Sequence, residues 1–244
     1  MRIIRWLVDS RMWVAIAAAA WSVESFVRCG VWVRWTLVAQ VFFFTWIAYL
    51  FLTDDAIRKH RASALIALTG ACATFQGLET LTIPALCAIL VLFYRSHWLP
   101  QGLRKSALEL RNIPLINNMI IGACWIVLCV LWPMQQAGID FQSQLPNLAA
   151  SYLWITALSM SEDLFVEPTP DATLAWLGKK TLRIVSVLLV CTAMGVSAAT
   201  GEAGMSVWLS MIASLPLLVL MPGGKRTPTK SWLIDAMIVL RFPF

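Results

Sequence analysis

Apolar residues in this chain come in blocks, not alternation. Nearly unbroken apolar runs cover residues 12–28, 35–53, 63–80, 82–95, 113–133, 146–161, 182–200 and 205–222, with polar stretches between them. Crossing about 30 Å of hydrocarbon takes about 20 mostly apolar residues in a helix that rises about 1.5 Å per residue. Each run therefore predicts a membrane-spanning helix. The fourth and sixth runs are short, which tilt and local bilayer thinning accommodate. A last apolar stretch, 231–242, is too short to cross and is expected at the interface or as a ninth element. Pro84, Pro114 and Pro216 fall near run ends, where a missing amide donor is tolerated, or mark kinks.

Composition agrees with the pattern. With 244 residues, 59% hydrophobic and 13% charged, and a mean hydropathy of +0.74, the chain carries more apolar surface than a soluble domain of its size hides. The expected architecture is all-α: one polytopic membrane domain over residues 1–244, with eight or nine transmembrane helices. Arg28 follows the first run in place of a small-residue cleavage site, so no cleavable signal peptide is expected.

The net charge of +6 does not indicate a nucleic-acid partner, because the basic residues sort by loop. With the N-terminus inside, the cytoplasmic segments hold Arg2, Arg5 and Arg11; Arg58, Lys59 and Arg61; Arg95, Arg104, Lys105 and Arg111; Lys179, Lys180 and Arg183; and Lys225, Arg226 and Lys230. Only Arg28 and Arg34 fall opposite, and Arg241 lies in the tail. Basic loops remain on the cytoplasmic side, so the N-terminus is predicted to be cytoplasmic.

Trp6, Trp13, Trp98, Trp132 and Trp232 sit near predicted span ends, where an indole wets its N–H and buries its ring. Ala15 to Ala20 offers a small-residue surface for close helix packing. The six cysteines show no metal-ligand spacing and mostly lie within apolar runs, as small packing residues do. His60 and His97 are expected to be solvated or interfacial.

One polar stretch stands apart. Between Ser159 and Arg183 the chain places Glu162, Asp163, Glu167 and Asp171, then Lys179, Lys180 and Arg183. Asp163 and Glu167, at i and i+4, would share one face of a helix. Two convergent carboxylates at a membrane helix end suit a hard divalent cation. An echo follows the second run, where Asp54 and Asp55 precede Arg58, Lys59 and Arg61. Both loops fall on the cytoplasmic side by charge sorting, so they can meet at one cavity mouth. Acids there would recruit magnesium, and Lys or Arg would neutralise the oxygens of a diphosphate. The competing account is that both are ordinary solvated loops whose charges set topology.

The segment Leu110-Arg111-Asn112-Ile113-Pro114, continuing through Gly122-Ala123-Cys124-Trp125 to Leu131-Trp132-Pro133, resembles the fifth-helix signature of a divergent bacterial branch of the UbiA prenyltransferase superfamily. The loop from Ser159 resembles that superfamily's second Asp-rich motif, DxxxDxxxD: Asp163 matches the middle acid, Glu167 replaces the third, and Ser159 stands at the first. Thr173 to Thr181 resembles the family's continuation, and Arg95 after Tyr94 its basic loop after the fourth helix. The similarity covers about residues 12–200. The first motif, NDxxDxxxD, retains only Asp54 and Asp55. If Asp55 is its last position, Ile47, Ala48 and Phe51 occupy the others, and Asn117 stands where the branch commonly has Lys.

The resemblance implies a helical barrel around a lipid-open cavity, in a bacterial inner membrane. An isoprenyl diphosphate would be ionised there and its prenyl group passed to an aromatic or lipid acceptor, or its allylic cation cyclised internally as in a UbiA-type terpene cyclase. Asp163 and Glu167 would be catalytic through magnesium, with Asp55 as a third ligand to a single shared ion. Arg95, Arg104, Lys179 and Lys180 would clamp the diphosphate, and Tyr49, Phe51 and Trp125 would face the allylic cation. The alternative is a catalytically degenerate protein of the same fold that binds a lipid or quinone or serves a membrane complex as an accessory subunit. A small transporter has little in its favour, since only Glu24 and Glu79 approach mid-span.

Overall fold

In the computed structural model, which describes residues 6–7, 9–52, 59–77, 81–94, 113, 115–140, 142–164, 172–201, 204–220 and 228–241, every predicted apolar run contains a helix. The described residues form α1 (Met12–Arg28), α2 (Trp35–Leu52), α3 (Arg61–Ala73), α4 (Thr82–Tyr94), α5 (Ile116–Gln136), α6 (Leu145–Asp163), α7 (Ala172–Thr200), α8 (Met205–Leu220) and α9 (Pro228–Val239). No strand occurs among them. Among the described residues, three helical segments are long and apolar enough to cross a membrane: α2, α5 and Ala175–Thr200 of α7. The 13 residues of α3 reach only about 20 Å.

Contacts between helix ends fix the relative directions of α2, α3, α5, α6 and α7. Asn118 at the start of α5 meets Asp163 at the end of α6, while Thr200 at the end of α7 meets Asn147 at the start of α6. Gln76, just after α3, donates to Thr36 at the start of α2, and Arg34 before α2 donates to the Gln136 carbonyl at the end of α5. Accordingly Asp163, the start of α5, the start of α7 and the last turn of α2 share one end of the molecule, hereafter the Asp163 end. The C-terminal ends of α2 and α6 thus lie at the same end of the molecule.

Packing follows the small-residue rule. Ala15, Ala17, Ala18 and Ala20 are all buried, letting α1 sit at the centre of the set against α2, α5 and α9. Buried hydroxyls turn back on their own helices: Ser22 to the Ala18 carbonyl, Ser25 to Trp21, Ser186 to Leu182 and Ser214 to Ser210. Such local bonds satisfy polar side chains where water is absent. By contrast, Leu65, Ile66, Leu86, Ile89, Ile184, Leu188 and Ile212 stand exposed on α3, α4, α7 and α8, an apolar periphery larger than the scattered exposed leucines of a soluble monomer.

Proline and glycine account for two irregularities. Pro133 has no amide hydrogen to give the Cys129 carbonyl, and its ring would clash there. The helix answers with a π-helical turn, Val127–Leu131, in which the Trp132 amide reaches the Val127 carbonyl. Gly178, at φ 73° and ψ 158°, breaks α7 between a short leading segment and the long apolar one, a left-handed conformation that glycine adopts without penalty.

The structure corrects several expectations. The third helix ends at Ala73 instead of continuing to 80; the Thr74 amide caps it on the Gly70 carbonyl. The tail is a helix that enters the bundle beside α1, with Trp13 stacked on Trp232 at 5.7 Å. Trp132 is buried, 1% exposed, against Phe44, and so is no interfacial anchor. Trp6 is exposed at the Asp163 end as expected, and Trp176 is exposed there too, while Trp32 and Trp35 are exposed at the opposite end. Cys72 and Cys191 lie on the outer surface, whereas Cys87 and Cys129 are buried. Pro216 lies inside α8, which continues through it.

Candidate functional site

The site is built where α5 and α6 approach most closely. Asn118, Gly122 and Trp125, spaced i, i+4 and i+7, share one face of α5. A Cβ on Gly122 would collide with the Thr156 hydroxyl and lie 3.2 Å from the Tyr152 ring, both on α6. Glycine is what lets the two backbones come this near. Tyr152 also donates its hydroxyl to the Met119 carbonyl at 3.3 Å. At the entry to α5, Leu115 takes φ 64°, ψ −42°, a left-handed conformation that costs a non-glycine residue about 1–3 kcal/mol. It delivers Asn117 and Asn118 buried into the first turn.

Antiparallel to them, α6 presents Ser159 and Asp163 one turn apart. The Asn118 amide nitrogen donates to Asp163 Oδ2 at 2.8 Å, and its oxygen accepts from the Ser159 hydroxyl at 2.7 Å. Asp163 is 7% exposed. A carboxylate removed from water needs such partners, since an unpaired buried charge costs several kcal/mol. The result is a hard oxygen ligand held in a fixed orientation at a helix end.

Compared with known proteins, the chain matches no family model, no curated protein and no solved structure. Its site is therefore read from geometry alone.

Of the implied ligand set, Asp163 is described, and Asp55 and Glu167 lie outside the described residues. Arg95 and Arg104 lie outside them as well. Helix α6 ends at Asp163, with Leu164 as its C-cap. Lys179 and Lys180 are described and exposed, just after the Gly178 break at the Asp163 end. Among the described residues no three His, Cys, Asp or Glu side chains come together. Mg²⁺ is commonly held by one or two carboxylates plus substrate phosphates and water, so one oriented carboxylate is a donor set that ion accepts.

Two of the aromatic residues anticipated near a cation do meet. The Trp125 indole donates to the Tyr49 hydroxyl at 3.1 Å, with ring centroids 6.5 Å apart. Phe51 is 42% exposed instead. Behind Trp125, Trp21 stacks at 5.9 Å and meets Trp154 edge to face at 5.8 Å. At the remaining first-motif positions, Ile47 packs with the cluster of Ala15, Trp46, Leu50 and Ala67, and Ala48 is half-buried.

Sequence reading missed Asn118, although Asn117 beside it was noticed. It also missed Arg241, which is fully buried beside Glu24. A lone Asn in an apolar run and a lone Arg in a short tail carry no spacing signal; only tertiary pairing marks them.

Proposed function

We propose that the chain is a membrane-embedded helical protein of eight or nine spans, with a cytoplasmic N-terminus, that binds an isoprenyl diphosphate at its cytoplasmic end in the manner of UbiA-type prenyltransferases. The observation that carries this reading is Asp163, a carboxylate buried at a helix end and oriented by Asn118 and Ser159. A purely topological charge has no need of burial or of two ordered partners.

In this reading Asp163 would hold magnesium together with Glu167 and Asp55. Bound there, the ion would neutralise the diphosphate and stabilise departing pyrophosphate. Lys179 and Lys180, exposed at the same end, neutralise outer phosphate oxygens. The carbon–oxygen bond to the allylic carbon breaks, pyrophosphate leaves with the electron pair, and a nucleophilic carbon of the acceptor takes the prenyl group and loses a proton. Tyr49 and Trp125 supply π faces for the cationic fragment. Exposed apolar faces on α3, α4, α7 and α8 support the membrane assignment.

A second reading rests on a different observation. Ile47 is a packing residue in an apolar cluster, so the first acidic motif has been given over to the core. If the cavity that the resemblance implies is present, metal ligands reduced this far would suit a lipid or quinone binder. Thermal unfolding with geranyl, farnesyl and geranylgeranyl diphosphate, each with and without magnesium, separates the two. Stabilisation that requires magnesium supports the enzyme, stabilisation without it supports the binder, and no shift with any of them removes both.

A further inference from the structure

The end of the molecule opposite Asp163 buries a second charged cluster of different chemistry. Arg28 closes α1, Glu24 precedes it by one turn, and Arg241 follows α9. Glu24 is 3% exposed, Arg241 is fully buried, and the Arg28 side chain retains 8%. The Arg241 guanidinium lies over the rings of Trp21 and Trp154, 4.8 Å from each centroid, and donates through Nη2 to the Ser151 hydroxyl at 3.1 Å. Trp21 and Trp154 occupy the middle of α1 and α6, so this cation sits deep among the helices.

The charges do not balance. Arg28 Nε stands 3.6 Å from Glu24 Oε1, and Arg241 Nε 4.0 Å from Oε2, both too long for a charge-assisted hydrogen bond of about 2.7–2.9 Å. Arg28 Nε and Nη2 and Arg241 Nε and Nη1 are buried and have no acceptor among the described residues. The indole N–H of Trp21, whose ring underlies Arg241, is in the same condition. Among the described residues two guanidinium groups share one carboxylate, which leaves one excess positive charge there. Water can accept from these donors, but it cannot neutralise the charge, and an uncompensated charge away from solvent is among the costliest features a fold can carry.

We propose that Arg28 and Arg241 bind a small monovalent anion, of which chloride is the simplest example, between α1, α6 and the C-terminal helix. One negative charge matches the excess. Guanidinium donors are weakly hydrated and suit such an anion. Glu24 stands 3.6 Å from the Arg28 guanidinium and 4.0 Å from that of Arg241, so both cations face the same carboxylate. Arg28, at the helix end and partly exposed, places the entrance at the end opposite Asp163. The site is independent of any prenyl-transfer chemistry.

The test is thermal unfolding of the purified protein in neutral phosphatidylcholine nanodiscs at constant ionic strength, with sodium gluconate exchanged for sodium chloride. The expected result is a saturable rise in Tm of about 5 °C at high occupancy. Arg28→Gln should raise the half-saturating chloride concentration about tenfold, and Arg241→Gln should abolish the response. Glu24→Gln adds a net positive charge and should lower that concentration, which keeps the test decisive even if the Arg241 variant does not fold. Equal Tm in gluconate and chloride would overturn the proposal, as would a chloride response that Arg28→Gln and Glu24→Gln leave unchanged. A response to phosphatidylglycerol in the nanodisc with none to chloride would also overturn it, since the cluster would then read a lipid headgroup and not a free ion.

Discussion

Asn118 grips Asp163 across the α5–α6 interface, donating to Oδ2 at 2.8 Å while Ser159 holds its other end at 2.7 Å. A carboxylate on one helix is thereby aimed by an amide on its neighbour. Removing either partner takes a charge-assisted hydrogen bond from a buried polar group, at about 1–3 kcal/mol. Asn118→Ala and Asp163→Ala should each lower the unfolding free energy by about that amount in detergent, and the double variant should lose clearly less than the sum. A double-mutant cycle that is additive within about 0.5 kcal/mol would mean the pair is not coupled.

Gly122 sets how near the two helices lie. Gly122→Ala places a methyl against the Thr156 hydroxyl and the Tyr152 ring, and overpacking of this kind costs about 1–3 kcal/mol. Thr156→Ala in the same chain should recover part of that loss by removing the obstructing oxygen. Thermal unfolding of the two single variants and the pair checks it.

Tyr49 and Trp125 share one hydrogen bond. Tyr49→Phe removes the acceptor, and Trp125→Phe removes the donor. Each should cost about 1 kcal/mol from the bond, with the larger loss at Trp125, whose bulk also supports Trp21. In an active prenyltransferase, Tyr49→Phe should lower turnover less than Asp163→Asn does, because the ring remains.

The orientation is checked by labelling. Trp32 is 95% exposed at one end of the molecule and Trp176 62% exposed at the other. In a background in which the exposed Cys72 and Cys191 are replaced by serine, Trp32→Cys should react with a membrane-impermeant maleimide in intact cells. Trp176→Cys should react only in inverted vesicles. The opposite pattern would reverse the topology.

Run length alone made the helices legible, because twenty apolar residues admit few other structures. Boundaries set by contact were hidden. Helix α3 stops at Ala73 where the Thr74 carbonyl accepts a hydrogen bond from Gln40 on α2 at 2.5 Å, a partner 34 residues away that no local pattern announces. Trp132 looked like an anchor because it sits near a run end, but the wide turn before Pro133 and the ring of Phe44 enclose it. Arg241 looked like a tail residue because its partners, Glu24, Trp21 and Trp154, lie elsewhere in the chain. Of the candidate site, sequence identified Asp163 by its place in an acidic stretch, but the residue that orients it is an ordinary asparagine. Asp55, Glu167, Arg95 and Arg104 lie outside the described residues, so their expected convergence on Asp163 is a matter for experiment.

The most direct measurement is release of pyrophosphate by the purified protein in lipid, supplied with magnesium, an aromatic acceptor and isoprenyl diphosphates of several chain lengths. The account predicts release above background that requires magnesium and falls at least a hundredfold in Asp163→Asn, a loss of about 2.7 kcal/mol or more in transition-state stabilisation. Release equal in the wild-type protein and the Asp163→Asn variant, or none from either at any chain length, would contradict it.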